Sequence, residues 1–276
     1  MGLRVGTNMP SINAQRNLIG SQRMMEKSSA QMSSGSRITK SADDAAGLAI
    51  SENMKSQIRS AVQARRNAND GASLVQAAEG GLSETTNIIT RLRELAIQGA
   101  SDTVGEEERS MIDREAQQLK TEIERISQTT AWNSTKLLDG STPQFDFQIG
   151  LYSTPNDRIE FDSSENVSTL DNLGLADIDY NTKEGAREAL GLLDHSSSMV
   201  SMMRANLGAL QNRLVSTADT LAVTEENLAA ANSRIRDTDM AAASSEMARN
   251  QVLLQAGTAT LVQANQNAQM ALKLLG

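Results

Sequence analysis

The sequence predicts a mainly α-helical protein, a long antiparallel helical bundle or coiled coil with a small β-hairpin insertion. Stepping by seven from Leu193 meets Val200, Leu207, Leu214, Leu221, Leu228 and Ile235, an unbroken apolar series. All six aromatic residues, Trp132, Phe145, Phe147, Tyr152, Phe161 and Tyr180, fall in the middle of the 276-residue chain, so both flanks must pack without rings. Between the flanks the period changes. Phe145, Phe147 and Ile149 alternate with Asp146 and Gln148, and Ile159 and Phe161 alternate around Glu160, the pattern of a strand.

The first 42 residues hold only a narrow stripe, Leu18, Met25 and Met32, flanked by Ser21, Gln22, Ser28 and Ser29. Asp43-Asp44 favour a helix start by capping and by the helix dipole. A proline-free stretch then runs to Gln98 with Leu48, Met54, Ile58, Val62, Leu74, Ala78, Leu82, Ile88, Leu92 and Leu95. Gly80-Gly81 within it marks a weak point or a close contact. A second helix follows Gly105, with Glu106, Glu107 and Glu108 in its first turn and Ile112, Ala116, Leu119, Ile123 and Ile126 spaced by four and three. Residues 43–140 are thus the N-terminal helices of a bundle.

Residues 141–185 are expected to form the hairpin, turning through Ser153-Thr154-Pro155-Asn156-Asp157, and then a polar connector with at most a short helix. Residues 186–236 are the return helix. Its companion seam, Met203, Leu210, Thr217, Thr224 and Ala231, is smaller and more polar than the first. A strict seven-residue repeat implies a left-handed coiled coil or a long bundle helix. From Leu190 to Ile235 such a helix extends about 70 Å at 1.5 Å per residue and needs partners along its length. Residues 237–276 repeat the N-terminal pattern: Leu254, Leu261, Ala268 and Leu275 step by seven, with Gly257, Ala264 and Ala271 beside them.

These terminal stripes are too thin to hold themselves. Burying three leucines stabilises by about 5–9 kcal/mol at best. Fixing some 25 residues costs about 25–50 kcal/mol of backbone entropy before helical hydrogen bonds offset much of it. Either tail alone is expected to fray, and to order when neighbouring copies cover its remaining faces. The residues expected to carry self-assembly are Leu18, Met25, Met32, Leu254, Leu261 and Leu275.

Composition excludes several functions. A net charge of −8 and a pI near 4.9 leave no cationic excess for nucleic acid. No cysteine is present, which rules out disulfides and thiolate metal sites. His195 is the one histidine, so zinc-hydrolase spacings are impossible, and neither a G-x-S-x-G elbow nor a phosphate-binding G-x-x-x-x-G-K-[ST] occurs. Asp43-Asp44 and Asp237-x-Asp239 lack the ligand count of a calcium site and read as caps or ion-pair partners. No run approaches the roughly 18 apolar residues of a membrane span. The first 25 residues lack the apolar core of a cleavable signal peptide. No enzyme, cofactor or membrane insertion is expected.

The chain resembles bacterial flagellin at both ends. Ser33-Ser34-Gly35-Ser36-Arg37-Ile38 followed by Ala42-Asp43-Asp44-Ala45-Ala46-Gly47-Leu48-Ala49-Ile50 is similar to that family's signature between its two innermost domains. Arg66 to Gly71 and Arg93 to Gln98 extend the likeness. Ala205 to Leu214, Ser233 to Ala241, Gln255 to Ala259, Gln263 to Gln266 and the Leu274-Leu275 ending continue it. The resemblance covers roughly residues 1–140 and 185–276. It implies a filament subunit for motility, a homopolymer exported unfolded through the flagellar secretion channel to the extracellular flagellum. It implies residues 1–42 and 237–276 as the two halves of an inner coiled-coil domain. It also implies flagellar cap and hook-junction proteins as partners, with an export chaperone on the C-terminal tail. The large outer domains of longer flagellins are missing, since only about 45 residues separate Asp139 from the return helix. Where the vertebrate innate receptor binds flagellins, the positions matching that pattern are Arg91, Leu95, Gln98 and Glu115. Thr90 and Leu119 depart from it, standing where the pattern has Gln and Arg.

Two other classes make different predictions. A hook–filament junction protein shares the end signatures but matches these blocks less fully. A cytoplasmic signalling coiled coil would form one uninterrupted hairpin without the strands around Phe145 and Phe161.

Overall fold

A computed structural model describes residues 7–141 and 144–273. Among them are five α-helices: α1 (Met9–Ser34), α2 (Ala45–Gly99), α3 (Glu106–Thr129), α4 (Lys183–Arg236) and α5 (Met240–Lys273). Between α3 and α4 lie two antiparallel pairs of strands, β1 (Ala131–Trp132) with β2 (Thr135–Lys136), and β3 (Gln144–Gln148) with β4 (Arg158–Asp162). The mainly helical fold with a small hairpin is therefore the one the repeats predict. The chain divides into two compact units, Met1–Gln57 with Asn227–Gly276, and Ile58–Glu226. Residues of α2 and α4 belong to both.

The Ile58–Glu226 unit is a three-helix bundle with a well-filled interior. From α4 it buries Leu193, Val200, Leu207, Leu214 and Leu221, with Met203, Leu210 and Ala218 beside them. From α2 come Leu74, Ala78, Leu82, Ile89, Leu92 and Leu95, and from α3 Ile112, Ala116, Ile123 and Ile126. The turn between α2 and α3 is tied by Arg109, whose guanidinium donates to the carbonyls of Gly99 (3.0 Å) and Ser101 (3.1 Å). That satisfies acceptors left open at a helix C-terminus. Glu106, Glu107 and Glu108 occupy the first turn of α3, where the helix dipole favours negative charge.

Both hairpins dock on α2 at glycines. Strands β1 and β2 are joined by Asn133 and Ser134, both left-handed (φ 47° and 67°), as a two-residue turn of the primed type requires. A Cβ on Gly81 would lie 2.7 Å from the Thr130 hydroxyl oxygen and 2.8 Å from a Leu138 methyl. Strands β3 and β4 pair Phe145 with Phe161 and Phe147 with Ile159, turning Asp146 and Glu160 outward. The Phe145 and Phe161 rings stand 5.8 Å apart. A Cβ on Gly71 would meet Phe147 at 3.0 Å, so its bare backbone lets this hairpin close on α2.

The connector from Ser163 to Lys183 contains a short 3₁₀ turn at Ser163–Asn166 and supplies more packing than its composition announces. Leu173, Leu175, Ile178 and Tyr180 are all buried. The Tyr180 hydroxyl donates to the carbonyl of Leu92 (3.3 Å), and burial, with Asp113 nearby, pushes its pKa above the usual phenol range. Lys120 is buried, and its ammonium donates to the carbonyls of Ala176 and Ile178.

Candidate assembly site in the terminal helices

Helix α1 begins at Asn8, whose side-chain oxygen accepts from the Ser11 N–H (3.2 Å), with Pro10 in the first turn. It stops at Gly35, which takes the left-handed conformation (φ 68°) open to glycine. Helix α5 begins after Asp239, whose carboxylate accepts from the N–H groups of Ala241 (2.9 Å) and Ala242 (3.1 Å). The two helices run antiparallel along each other. The Asn8 amide donates to the Ala264 carbonyl (3.1 Å), and the Thr238 N–H donates to the Gly35 carbonyl (3.0 Å). Midway between these, Leu18 packs on Gly257, where a Cβ would lie 3.3 Å from its branch carbon.

The structure brings the expected assembly residues onto this seam. Leu18, Met25 and Met32 of α1 and Leu254 and Leu261 of α5 are half-buried, while Leu275 lies outside the described residues. The alternate seam positions are small or polar: Ser21, Ser28, Asn250, Gly257 and Ala264. Among the described residues of the two helices only Ser28, Ala243 and Asn250 are buried, and the Asn250 side-chain nitrogen has no hydrogen-bond partner. Away from the seam, Met9, Ile12, Ile19 and Met24 of α1 and Met240, Val252, Leu253, Val262 and Met270 of α5 stand exposed. Stripe-reading at a spacing of seven overlooked these outward apolar side chains.

The segments linking these helices to α2 and α4 form a hydrogen-bonded joint. The Arg37 N–H donates to the Arg236 carbonyl (2.6 Å), and its guanidinium donates to the Ile235 carbonyl (2.7 Å). Ser36 bridges Asp237, and the Gln31 amide donates to the Arg37 carbonyl (2.7 Å). Ile38 is buried against Gly47, where a Cβ would come 2.9 Å from its end carbon. Asp43 accepts from the N–H of Thr39 (3.2 Å), the N–H of Lys40 (3.1 Å) and the Thr39 hydroxyl, and it pairs with Lys27 at 3.0 Å. Lys27 first, then Thr39 and Lys40, hold its carboxyl well below the usual aspartate range. Arg236 pairs with Glu52, and the Ser51 hydroxyl donates to Asn232 (2.8 Å). Three of the four acidic residues read as caps or ion-pair partners act in those ways: Asp43 as above, Asp44 by accepting from the Gly47 N–H (2.9 Å) and Asp239 at the head of α5, while Asp237 takes part through its backbone.

On the bundle, seam residues Leu193, Val200, Leu207, Leu214 and Leu221 are buried; Leu228 and Ile235, in the other unit, are half-buried. Arg91 donates to Glu115 (2.8 and 3.0 Å) and to Glu94 (2.9 Å), pairs that raise its pKa, Glu115 foremost. Gln98 is exposed, whereas Leu95 is 2% exposed and belongs to the interior. Thr90 is exposed and Leu119 half-buried. His195 is exposed on α4. Among the described residues no three His, Cys, Asp or Glu gather as metal ligands, and no helix is long and apolar enough to cross a membrane.

Residues 5–142 match the bacterial flagellin N-terminal helical region, and residues 190–275 match the bacterial flagellin C-terminal helical region. A flagellin of Halalkalibacterium halodurans is 43% identical over 271 residues, covering 98% of this chain and 99% of its own. A flagellin of Bacillus subtilis is 39% identical over 303 residues, covering 99% and 100%. The flagellar filament 33 kDa core protein of Treponema phagedenis is 39% identical over 287 residues, covering 98% and 99%. The crystal structure of Bacillus cereus flagellin superposes with a TM-score of 0.51 at 25% identity, over 60% of this chain and 94% of that one.

Proposed function

The chain belongs to the bacterial flagellin family and is a structural subunit of the flagellar filament, not an enzyme; from that premise we propose that α1 and α5 are the joints through which copies polymerise. The observation that carries this reading is the mismatch between the two helices' seam and their outer faces. Only three described side chains of the pair are buried, while nine large apolar ones, from Met9 to Met270, face outward. Apolar surface of that extent on a helix pair gains stability when further helices cover it. Neighbouring subunits supply such helices in a polymer. In this reading residues 1–42 with 237–276 are the inner coiled-coil domain, and residues 43–140 with 186–236 the bundle domain that carries the hairpin and connector of 141–185, with 43–57 and 227–236 packed in the same compact unit as the terminal helices.

As a filament component the protein works outside the cell. We further infer that it leaves unfolded through the flagellar secretion channel, a route favoured by terminal helices that hold little interior of their own. An export chaperone would cover the same apolar faces of α5, and cap and hook-junction proteins would meet the ends of the polymer. A contact for the vertebrate innate receptor would use the exposed Arg91, Gln98 and Glu115, with Leu95 supporting them from beneath.

Leu261→Asp, or removal of the last 20 residues, tests the joints. Either is expected to leave a soluble, folded bundle by circular dichroism that no longer adds to filament seeds in electron micrographs. Normal filaments from the truncated chain would refute the assignment.

A further inference from the structure

The Ile58–Glu226 unit carries a cleft of about 480 Å³ between the β3–β4 hairpin and α4. Ile149 and Ile159 form its buried floor, and Arg158 and Arg213 stand at its rim with Asn156 and Asn212. Elsewhere in the unit Arg65, Arg91, Arg93, Arg125 and Arg204 each hold a carboxylate. Arg158 and Arg213 hold none among the described residues; Arg158 makes only a 3.3 Å bond to the Gln148 amide oxygen. Other bundle arginines also lack carboxylates, but these two share a concave site. A concave site with two guanidinium groups that hold no carboxylate fits an acidic partner.

An open filament constrains what that partner is. Its contacts are heterologous: one patch on each subunit meets a different patch on the next. Two complementary surfaces must therefore lie apart on the same unit. The opposite sign is found at the start of α3, where Glu106, Glu107 and Glu108 are exposed and form no ion pair among the described residues. That turn lies beside the start of α4, since Asp102 pairs with Lys183 and Arg109 ties the loop between α2 and α3. Arg213 is 30 residues farther along α4, roughly 45 Å at 1.5 Å per residue.

We propose that the Arg158–Arg213 cleft receives the Glu106–Glu108 turn of a second copy of this chain, as an axial contact of the filament. The proposal rests on the filament reading and gives it a specific address on the bundle, outside the terminal helices. Exposed charge complementarity steers encounter more than it adds affinity, so its mark is on elongation rate. It is also screened by salt.

Seeded elongation of the full chain is the test. Arg158→Glu with Arg213→Glu is expected to slow elongation about ten-fold or more at low salt, and so is Glu107→Lys with Glu108→Lys. Combining all four substitutions in one chain is expected to bring the rate back to within about three-fold of the parent. Added salt should slow the parent and change the combined variant similarly. Far-UV dichroism and urea unfolding check that each variant folds; if the arginine reversal fails to fold, Arg158→Gln with Arg213→Gln takes its place. Parent-like elongation of either reversed pair, or a combined variant no faster than the slower pair, would overturn the proposal. The terminal-helix assignment fails separately, by incorporation of the tail-deleted chain.

Discussion

The bundle of Ile58–Glu226 and the paired helices α1 and α5 are both written in a seven-residue apolar repeat, yet they hold themselves together differently. In the bundle, Leu193, Val200, Leu207 and Leu214 are at most 1% exposed, because α2, α3 and the connector close over them from several sides. In the terminal pair, Leu18, Leu254 and Leu261 follow the same spacing but stay half-buried, since each helix has one partner and the alternate positions are Ser, Asn, Gly or Ala. The repeat says that a helix has a partner. The size of the companion residues and the number of partners decide whether the region is finished within one chain.

The sharpest way to break this comparison is one substitution in each region. Leu207→Ala is expected to cost about 2–5 kcal/mol of bundle stability in urea unfolding, from lost burial and a cavity in a closed interior. Leu254→Ala, at a site that can relax toward solvent, is expected to cost less than about 1 kcal/mol in the same monomer experiment while slowing polymerisation strongly. Equal costs would mean that the terminal pair is as self-sufficient as the bundle.

A second measurement reads the same contrast without mutation. Amide exchange in the monomer is expected to be fast along α1 and α5 and slowest in α2 to α4 around Leu82, Leu92 and Leu207, because protection follows buried contacts. Limited proteolysis should trim the chain to around residues 40–50 and 235–240. Protected amides along both terminal helices of a dilute monomer would erase the distinction.

Much of this architecture was legible because periodicity is a long-range signal. The series from Leu193 to Ile235 declares one face of α4, and the alternation around Phe145 and Phe161 marks the hairpin. Less was legible where burial has no period. The connector reads as polar because Ser, Thr, Asn and Asp make up eleven of the 21 residues from Ser163 to Lys183, yet Leu173, Leu175, Ile178 and Tyr180 each reach the interior from irregular backbone. On α3 a spacing of three and four selects Leu119, while the structure buries Lys120 more deeply and leaves Leu119 half-buried. Ile89, and not Ile88, is the buried neighbour on α2. The β1–β2 hairpin escaped notice because two-residue strands are too short to alternate. In the assembly site the seam was readable and the outward apolar faces were not, since they lie off the strongest stripe. Lys120 gives a test of the unreadable part: Lys120→Met keeps the stem but strips the donors from the Ala176 and Ile178 carbonyls. It is expected to cost about 1–3 kcal/mol in urea unfolding. A neutral substitution would mean that the connector does not depend on this ammonium.

The smallest expected effect lies at the joint, where Asp43 connects Lys27 of α1 to the backbone before α2. Its carboxyl titrates below the ordinary value of 3.8 in the folded chain, because Lys27, Thr39 and Lys40 all bond its ionised form. A depressed folded pKa stabilises the fold above the unfolded value, and that contribution is lost as pH falls from there toward the folded pKa. The carboxylate is half-buried at the surface and its partner Lys27 is exposed, so screening keeps the effect small and local. Amide exchange at Thr39 and Lys40 is the suitable readout, since both N–H groups end on this carboxylate. Asp43→Asn is expected to speed their exchange at neutral pH, after correction for intrinsic rates. The gap from the parent should close as pH drops below about 4. A gap that persists unchanged at low pH would mean that the side chain orders the joint by shape, with its charge playing no part.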